Sequence, residues 1–231
     1  MTEMTAAERV GPVRGRSMEG VVAAWYARAT RAYTADFDRT AGQFAARMPA
    51  GAKMLEVAPG PGYLAIALAA ALARRGDGAV EAIDISHSFV RIATRNAAQA
   101  GVAVTFRHGD VHAMPYPAEH FDGLVCRAAF KNFGQPVQAL REMRRVLRLR
   151  PGGTALIIDL RADATAAEID DSVAAGGQGW LTSLIVGRTL KGMLRRRAYT
   201  ADQFGGMAAA AGFPGCEISS ESVAINAWLT A

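Results

Sequence analysis

The fold of this 231-residue chain is decided by the stretch Met54-Leu55-Glu56-Val57-Ala58-Pro59-Gly60-Pro61-Gly62-Tyr63-Leu64-Ala65-Ile66-Ala67-Leu68. It predicts a short buried strand, a turn rich in glycine and proline, and an apolar helix that begins at Gly62 or Tyr63. Glycine has no Cβ, so such a turn brings bare backbone against a ligand. The start of the helix directs unpaired N–H groups and the positive end of its dipole at the same place. The stretch therefore predicts a seat for a small, partly anionic cofactor.

Strands and helices alternate on the C-terminal side of this stretch. We expect strands at 53–58, 79–84, 102–107, 121–126 and 154–160, and helices at 63–75, 86–100 and 135–149. This spacing predicts a parallel sheet with helices on both faces. The last two segments, 215–219 and 224–230, are too close in sequence for a helical crossover and predict an antiparallel hairpin. The fold class is therefore α/β, a Rossmann-like three-layer sandwich with a mostly parallel sheet, a C-terminal antiparallel hairpin and an N-terminal helical cap.

The length of the chain fits one domain of roughly 200–250 residues. We expect residues 1–17 to form a flexible N-terminus, because they lack hydrophobic periodicity. Residues 18–231 then form a single domain, with the helical cap at 18–50 and a lid-like insertion at 161–197, where the alternation loosens.

Composition excludes several classes of protein. Cys126 and Cys216 are isolated and have no neighbouring histidine spacing typical of zinc, so we expect no metal and a cytoplasmic location. The N-terminus lacks the apolar core of a signal peptide, and no apolar run is long enough to span a bilayer. The formal net charge of +5 indicates a soluble, arginine-rich surface more than nucleic-acid binding.

The glycine turn alone fits two kinds of enzyme. The segment 60–65 reads G-x-G-x-x-A, and Asp84 ends the next strand at about the distance found in the dinucleotide fingerprint, roughly 20 residues. Glu56, however, lies inside the first strand, where nicotinamide-binding folds normally carry aliphatic residues. Asp110 adds a carboxylate after the third strand, and the sheet closes with a hairpin in place of a sixth parallel strand.

With these features the chain resembles the class I S-adenosylmethionine-dependent methyltransferases, in particular the branch that acts on small molecules. The resemblance covers about residues 18–231 and is strongest over 53–159. It implies that the turn with Gly60 and Gly62 cradles the amino-acid end of S-adenosylmethionine, with Glu56 near its ammonium group. Ala58 stands where the family usually has the first glycine of this motif.

The same resemblance assigns the adenosine part of the cofactor. Asp84 matches the residue that accepts both ribose hydroxyls, and Ile85 matches the residue that packs on the adenine. Asp110 matches the residue that reads the adenine amino group, and Val111 supplies a backbone N–H. Arg127 lies where the family lines the cofactor near its methyl group. The alternative is that these residues have structural roles only. Asp84 would be the neighbour of a helix cap, Asp110 would make a turn, and Glu56 would form a salt bridge.

The acceptor is expected to meet the N-terminal helices, the loop after the fourth strand and the insertion after the fifth. We expect Tyr26, Lys131 and Asn132 to face substrate or cofactor. In the competing interpretation Trp25 and Phe130 are core residues and the loop lysine is a solvated charge. A basic cluster at 191 and 195–197 falls in the insertion and would attract an anionic acceptor.

No catalytic residue can be assigned from the sequence. His112 is a weak candidate for a base, because it follows a carboxylate at the cofactor edge. The leading hypothesis is a methyltransferase that acts mainly by positioning a small anionic or aromatic acceptor, with neither nucleic acid nor membrane as partner. The alternatives are a nicotinamide-dependent oxidoreductase on the same fold and a non-catalytic protein that binds the cofactor or a partner.

Overall fold

Seven strands form one sheet in the computed structural model, which describes residues 18–76, 78–149, 152–175 and 197–231. The strands are β1 Lys53–Val57, β2 Ala79–Asp84, β3 Thr105–His108, β4 Gly123–Arg127, β5 Thr154–Leu160, β6 Gly215–Glu221 and β7 Ala224–Thr230. Their order in the sheet is β3-β2-β1-β4-β5-β7-β6. The first five are parallel, whereas β7 is antiparallel to β5 and to β6. The predicted parallel sheet and its closing hairpin are therefore confirmed.

The described helices cover the sheet and form the N-terminal cap. They are α1 Gly20–Thr30, α2 Thr34–Ala46, α3 Tyr63–Ala73, α4 His87–Ala100, α5 Pro136–Val146, α6 Ala166–Ala175 and α7 Ala201–Ala210. None of these helices is long and apolar enough to cross a membrane. Residues 1–17 and most of the predicted lid lie outside the described residues, so the flexible N-terminus and the lid stay predictions.

Two strands begin later than the sequence predicts. The fourth strand is expected at 121–126, but β4 runs from Gly123 to Arg127. The other is β3. Residues 102–107 are expected as the third strand, but β3 runs from Thr105 to His108. The reason lies at the end of α4, where Gly101 adopts a left-handed φ of 67°. The N–H of Val102 then donates to the carbonyl of Ala97 at 3.2 Å, which closes the helix and uses the residue that would have begun the strand.

The strand alternation decides where the carboxylate of β1 lies. Leu55 and Val57 belong to the core cluster on the face covered by α5 and α7. Met54 belongs to the cluster on the opposite face, under α2 and α3. Because successive side chains of a strand point to opposite faces, Glu56 lies on the same face as Met54. It is thereby directed towards the start of α3.

The strand order places this carboxylate at a crevice. From β1 the chain builds outward through β2 and β3, and then crosses to β4 on the other side of β1. Ligands of open α/β sheets bind at such a reversal, beyond the carboxyl ends of the strands. Glu56 pairs in register with Val125 of β4 and Ala82 of β2, so it lies at this reversal.

Candidate active site

The turn after β1 has three residues in the left-handed region, with φ values of 55° at Ala58, 54° at Gly60 and 81° at Gly62. A Cβ on Gly62 would lie 2.8 Å from the Cβ of Ala93 and 2.9 Å from Cζ of Phe106, so glycine is required there. An L-residue in the left-handed conformation costs about 1–2 kcal/mol. Ala58 therefore occupies a strained position, which explains why glycine is the usual residue in the motif that it resembles.

The turn is fixed by bonds to its neighbours. The N–H of Gly60 donates to Oδ2 of Asp84 at 3.0 Å. On the other side, Nδ2 of Asn96 in α4 donates to the carbonyl of Pro61 at 2.9 Å. Because β2 and α4 both hold the turn, its backbone is already arranged before a ligand binds.

Glu56 is the most unusual group of the site, since its side chain is only 3% exposed. Its carboxylate accepts a hydrogen bond from the N–H of Ala65, in the first turn of α3. Burial raises the pKa of Glu56 to about 8, and the neighbouring charge of Asp84 adds to the rise, while the Ala65 bond and the Arg127 guanidinium oppose it. Its Oε2 has no hydrogen-bond partner among the described residues. A buried carboxylate oxygen without a partner is suited to a cationic ligand.

Asp84 ends β2 beside the turn and is 6% exposed. Its Oδ1 accepts the N–H of Ser86 at 2.8 Å, and its Oδ2 accepts the N–H of Gly60. Burial raises the pKa of Asp84 to about 6, although both N–H bonds oppose the rise. The side chain of Ile85, which follows, is 36% exposed. A fixed carboxylate and an exposed apolar surface thus lie next to each other at the sheet edge.

Asp110 and His112 form a pair after β3. The Oδ1 of Asp110 lies 2.6 Å from Nδ1 of His112 and 2.9 Å from its backbone nitrogen. The other ring nitrogen, Nε2, accepts the N–H of Gln135 at 3.3 Å. Both ring nitrogens are therefore engaged, and His112 would have to leave Gln135 before its Nε2 could accept a proton from a substrate. The side chain of Val111 is buried in the core.

Arg127, at the end of β4, connects the sheet to the helical cap. Its guanidinium forms a salt bridge with Asp36 and donates to Oγ1 of Thr40 at 3.0 Å, both in α2. It also lies 4.9 Å from the ring centroid of Phe37. The charge of Arg127 also lowers the pKa of Glu56, so the guanidinium is within electrostatic reach of the buried carboxylate.

Tyr26 brings α1 over the glycine turn. A Cβ on Gly60 would lie 3.8 Å from its ring, and the ring meets Phe89 edge-on at a centroid distance of 5.8 Å. Burial raises the pKa of the Tyr26 phenol, the charge of Asp159 raises it further, and Arg127 lowers it. The phenol therefore lies within electrostatic reach of the ends of both β4 and β5.

Lys131 is not a solvated charge, since it is 8% exposed and pairs with Asp159, which is 6% exposed. Its Nζ lies 2.8 Å from Oδ1 of Asp159, and its backbone N–H donates to Oδ2 at 2.8 Å. Asn132 is exposed and accepts a hydrogen bond from Arg197 at 2.9 Å. The competing interpretation makes Phe130 and Trp25 core residues. It is correct for Phe130, which is 1% exposed, and wrong for Trp25, which is 69% exposed.

Sequence reasoning missed two acidic residues that organise this region. Asp159 lies one residue before the end of β5, a parallel strand, so the rule that strand ends meet at one side of the sheet would have found it. Asp36 has no such signal, because only the packing of α2 on the sheet brings it to Arg127. The sequence gives no means of predicting that contact.

We expect the stability of the unliganded protein to depend on the titration of Glu56. Burial keeps the carboxyl neutral in the folded protein up to about pH 8, whereas in the unfolded chain it ionises near its ordinary pKa of 4.5. Raising the pH through this interval therefore lowers the free energy of unfolding of the wild type. We would measure the free energy of unfolding by urea at pH 5 and at pH 8.5. Its fall between these pH values should be smaller in Glu56→Gln than in the wild type by at least about 1.4 kcal/mol, the equivalent of one pKa unit. Glu217→Gln, on an exposed position of β6, is the control and should follow the wild type; equal pH dependence of all three proteins would contradict the raised pKa.

Comparison with known proteins finds similar sequences over the central part of the chain. Residues 54–153 match the family model described as "Methyltransferase domain". The ubiquinone/menaquinone biosynthesis C-methyltransferase UbiE of Bdellovibrio bacteriovorus is 37% identical over 112 residues, which is 48% of this chain and 45% of that protein. The demethylmenaquinone methyltransferase of Deinococcus radiodurans is 31% identical over 113 residues, 49% of this chain and 45% of the relative. The chain thus matches a little under half the length of these curated relatives.

Solved structures share the whole fold. An S-adenosyl-L-methionine-dependent methyltransferase structure from Methanococcus maripaludis aligns with a TM-score of 0.73 at 21% identity, covering 92% of this chain and 93% of that chain. The [4+2]-cyclase SpnF aligns with a TM-score of 0.58 at 27% identity, covering 80% of this chain and 61% of that chain. Residues 54–153 are thus similar to a methyltransferase domain, and the sheet as a whole has the fold of these solved structures.

Proposed function

We propose that the chain transfers a methyl group from S-adenosylmethionine to a small organic acceptor. The observation that carries this proposal is the buried carboxylate of Glu56, whose Oε2 has no partner among the described residues, at the end of β1 beside a fixed glycine turn. A cationic group beside this oxygen would satisfy it, and the amino-acid end of S-adenosylmethionine carries one. When bound, S-adenosylmethionine supplies a methyl group on a sulfonium, which is already an activated electrophile.

The other residues of the site would each bind a different part of the cofactor. Asp84 keeps a free lone pair on each oxygen after accepting two backbone N–H groups, which suits it to the ribose hydroxyls. The exposed side chain of Ile85 offers an apolar surface for the adenine. Asp110 and the backbone of Val111 are the residues we assign to the adenine edge. The turn, held by Asp84 and Asn96, would bind the amino-acid end without further backbone movement.

Two rival functions have less support. A nicotinamide-dependent oxidoreductase would not need a buried carboxylate such as Glu56 in β1, and neither the family match nor the relatives favour it. A protein that binds the cofactor without transferring the methyl group is a real competitor, since SpnF is a cyclase on a similar fold. The names of the sequence relatives favour methyl transfer.

The acceptor side is formed by three segments that meet at the sheet edge. They contribute Tyr26 from α1, Arg127 from the end of β4, and Lys131 with its partner Asp159. An aromatic ring would pack on Tyr26, and the Lys131 ammonium would donate to an acceptor oxygen while Asp159 fixes the position of the ammonium. We therefore propose an aromatic acceptor with ring oxygens, of the quinol type that the names of the relatives indicate. Asn132, exposed beside Arg197, would lie at the outer rim.

These residues act mainly by positioning. Holding two reacting atoms about 3–3.5 Å apart in the right orientation removes roughly 7–11 kcal/mol from a barrier. A general base adds only about 10²–10⁴-fold. We therefore assign no base. His112 stays a weak candidate, because its Nε2 must first lose the hydrogen bond from the N–H of Gln135.

Cofactor binding tests the first half of the proposal. Asp84→Asn keeps the shape of the side chain but removes the charge and one acceptor, so calorimetry should show S-adenosylmethionine binding weakened by more than about tenfold, or 1.4 kcal/mol. Asp38→Asn, on the exposed side of α2, is the matched control and should bind as the wild type does. If the wild type bound NADH but not S-adenosylmethionine, the oxidoreductase would replace the methyltransferase.

Methyl transfer itself tests the second half. With radiolabelled methyl donor and a set of demethylated benzoquinols and naphthoquinols, the wild type should label at least one acceptor. Lys131→Met should lower the turnover of that acceptor by about tenfold or more while the affinity for S-adenosylmethionine changes little, since one charged hydrogen bond contributes about 1.5–3 kcal/mol. Lys53→Met is the control, because Lys53 begins β1 and so lies at the amino ends of the strands, away from the site. Tight cofactor binding without transfer to quinols or to a wider metabolite library would favour the non-catalytic or cyclase alternative.

A further inference from the structure

The outward face of α1 is apolar. Val21 is 84% exposed, Trp25 is 69% exposed and Val22 is 45% exposed. The residues that α1 buries are the small ones, Ala23 and Ala27. A surface helix normally directs its large apolar side chains inward, so α1 is reversed in this respect. Three large apolar side chains together on one turn and a half of a helix indicate a contact surface.

The orientation of α1 is fixed by specific bonds. At its start, the N–H of Gly20 donates to Oγ of Ser88 at 3.0 Å, and Oε2 of Glu19 accepts the N–H of Ser88 at 3.0 Å. Near its end, the hydroxyl of Tyr63 donates to the carbonyl of Ala27 at 3.0 Å. Both ends of the helix are therefore tied to α4 and α3. The apolar face points outward because the opposite face is bonded to the protein.

The charge around this face is positive. Arg28 and Arg31 are exposed on α1 and the turn that follows it, and Arg91 is exposed on α4 next to the start of α1. Residues 20–35 contain no aspartate or glutamate. The carboxylate of Glu19, at the beginning of the helix, is held against the start of α4. An apolar centre with a basic border is complementary to an anionic lipid surface.

We propose that the outward face of α1, formed by Val21, Val22 and Trp25 with Arg28 and Arg31 at its border, docks on an anionic lipid bilayer. The apolar side chains would enter the boundary between head groups and acyl chains, where tryptophan is favoured, and the arginines would pair with lipid phosphates. The contact is peripheral. From the sequence we expect no membrane partner, because no apolar run is long enough to span a bilayer. A peripheral contact needs no such run, so this proposal departs from that expectation.

Docking through α1 would also bring the active site to the bilayer. Tyr26 is on α1, and its ring lies over Gly60 of the cofactor turn, so the face and the site are on one helix. A lipid-soluble quinol could then enter from the membrane. This last consequence rests on the proposed function, whereas the docking of α1 does not.

Vesicle flotation tests the docking. The wild type should float with vesicles of phosphatidylcholine mixed with phosphatidylglycerol. It should bind vesicles of phosphatidylcholine alone about 25-fold less, since each of the two border arginines adds about fivefold near an anionic surface. Trp25→Glu should lower binding to the anionic vesicles by about tenfold or more. The double variant Arg28→Glu/Arg31→Glu should lose the preference for anionic vesicles, and salt should weaken the binding of the wild type.

Two controls separate docking from folding and from catalysis. Leu149→Glu changes an exposed apolar residue, 39% exposed, outside α1 and should float as the wild type does. Calorimetric binding of S-adenosylhomocysteine should be the same in all variants, which shows that the fold and cofactor site are intact. Trp25→Ser is the milder substitution if Trp25→Glu fails this check, and it should also bind vesicles less well.

Three results would overturn the proposal. The first is a wild type that does not float with anionic vesicles. The second is floating that Trp25→Glu and Trp25→Ser leave unchanged. The third is a wild type that is dimeric by light scattering and becomes monomeric in Trp25→Glu, because the face would then bind a second copy of this chain. None of these results would by itself contradict methyl transfer, which the labelled-donor assay measures independently.

Discussion

The burial of one carboxylate, that of Glu56, is the constraint on which this site depends. Strand alternation directs the side chain into the α2 and α3 face of the core, where water does not solvate it. One N–H from the start of α3 is not enough to satisfy a carboxylate, and its pKa rises to about 8 as a result of burial. A group of this kind lowers the stability of the unliganded protein. It becomes favourable when a cationic ligand is bound beside it, which is the reason for assigning it to binding and not to structure.

The helical cap is held by polar contacts to the end of the sheet near this carboxylate. Arg127, at the end of β4, forms a salt bridge with Asp36 in α2. The charges of Arg127 and Asp159 both act on the pKa of the Tyr26 phenol in α1. The cap is therefore fixed beside the carboxyl end of β4. Because the inner face of α1 is bonded to α3 and α4, the helix keeps its apolar face outward, and that face is complementary to a lipid surface.

Some of this arrangement could be predicted from the sequence because the signals are local. The bounds of β2 and β5 are as expected, Ser86 caps α4, and the terminal segments pair as a hairpin. The residues of the cofactor motif also follow from local patterns, since each lies at or beside the end of a strand in a parallel sheet. The strained φ at Ala58 agrees with the expectation that this position suits glycine.

The parts that could not be predicted arise from packing between distant segments. The sequence leaves Lys131 open between a substrate contact and a solvated charge, whereas the structure pairs it with Asp159, 28 residues away. The contact of Arg127 with Asp36 spans 91 residues and has no local signal. Helical spacing gives the positions of Val21 and Trp25 on α1 but not which face is inward, because that depends on the bonds to Ser88 and to the tyrosine of α3.

The most direct test of the role of Glu56 is the number of protons released when S-adenosylhomocysteine binds at pH 7, measured by calorimetry in phosphate and in Tris, which differ in ionisation enthalpy. Since the pKa of Glu56 is about 8 without ligand, the carboxyl is mostly neutral at this pH and must ionise to pair with an ammonium group. We predict the release of nearly one proton by the wild type and of almost none by Glu56→Gln, which should also bind more weakly. Equal binding enthalpies of the wild type in the two buffers would contradict the assignment of Glu56 to the ammonium group of the cofactor.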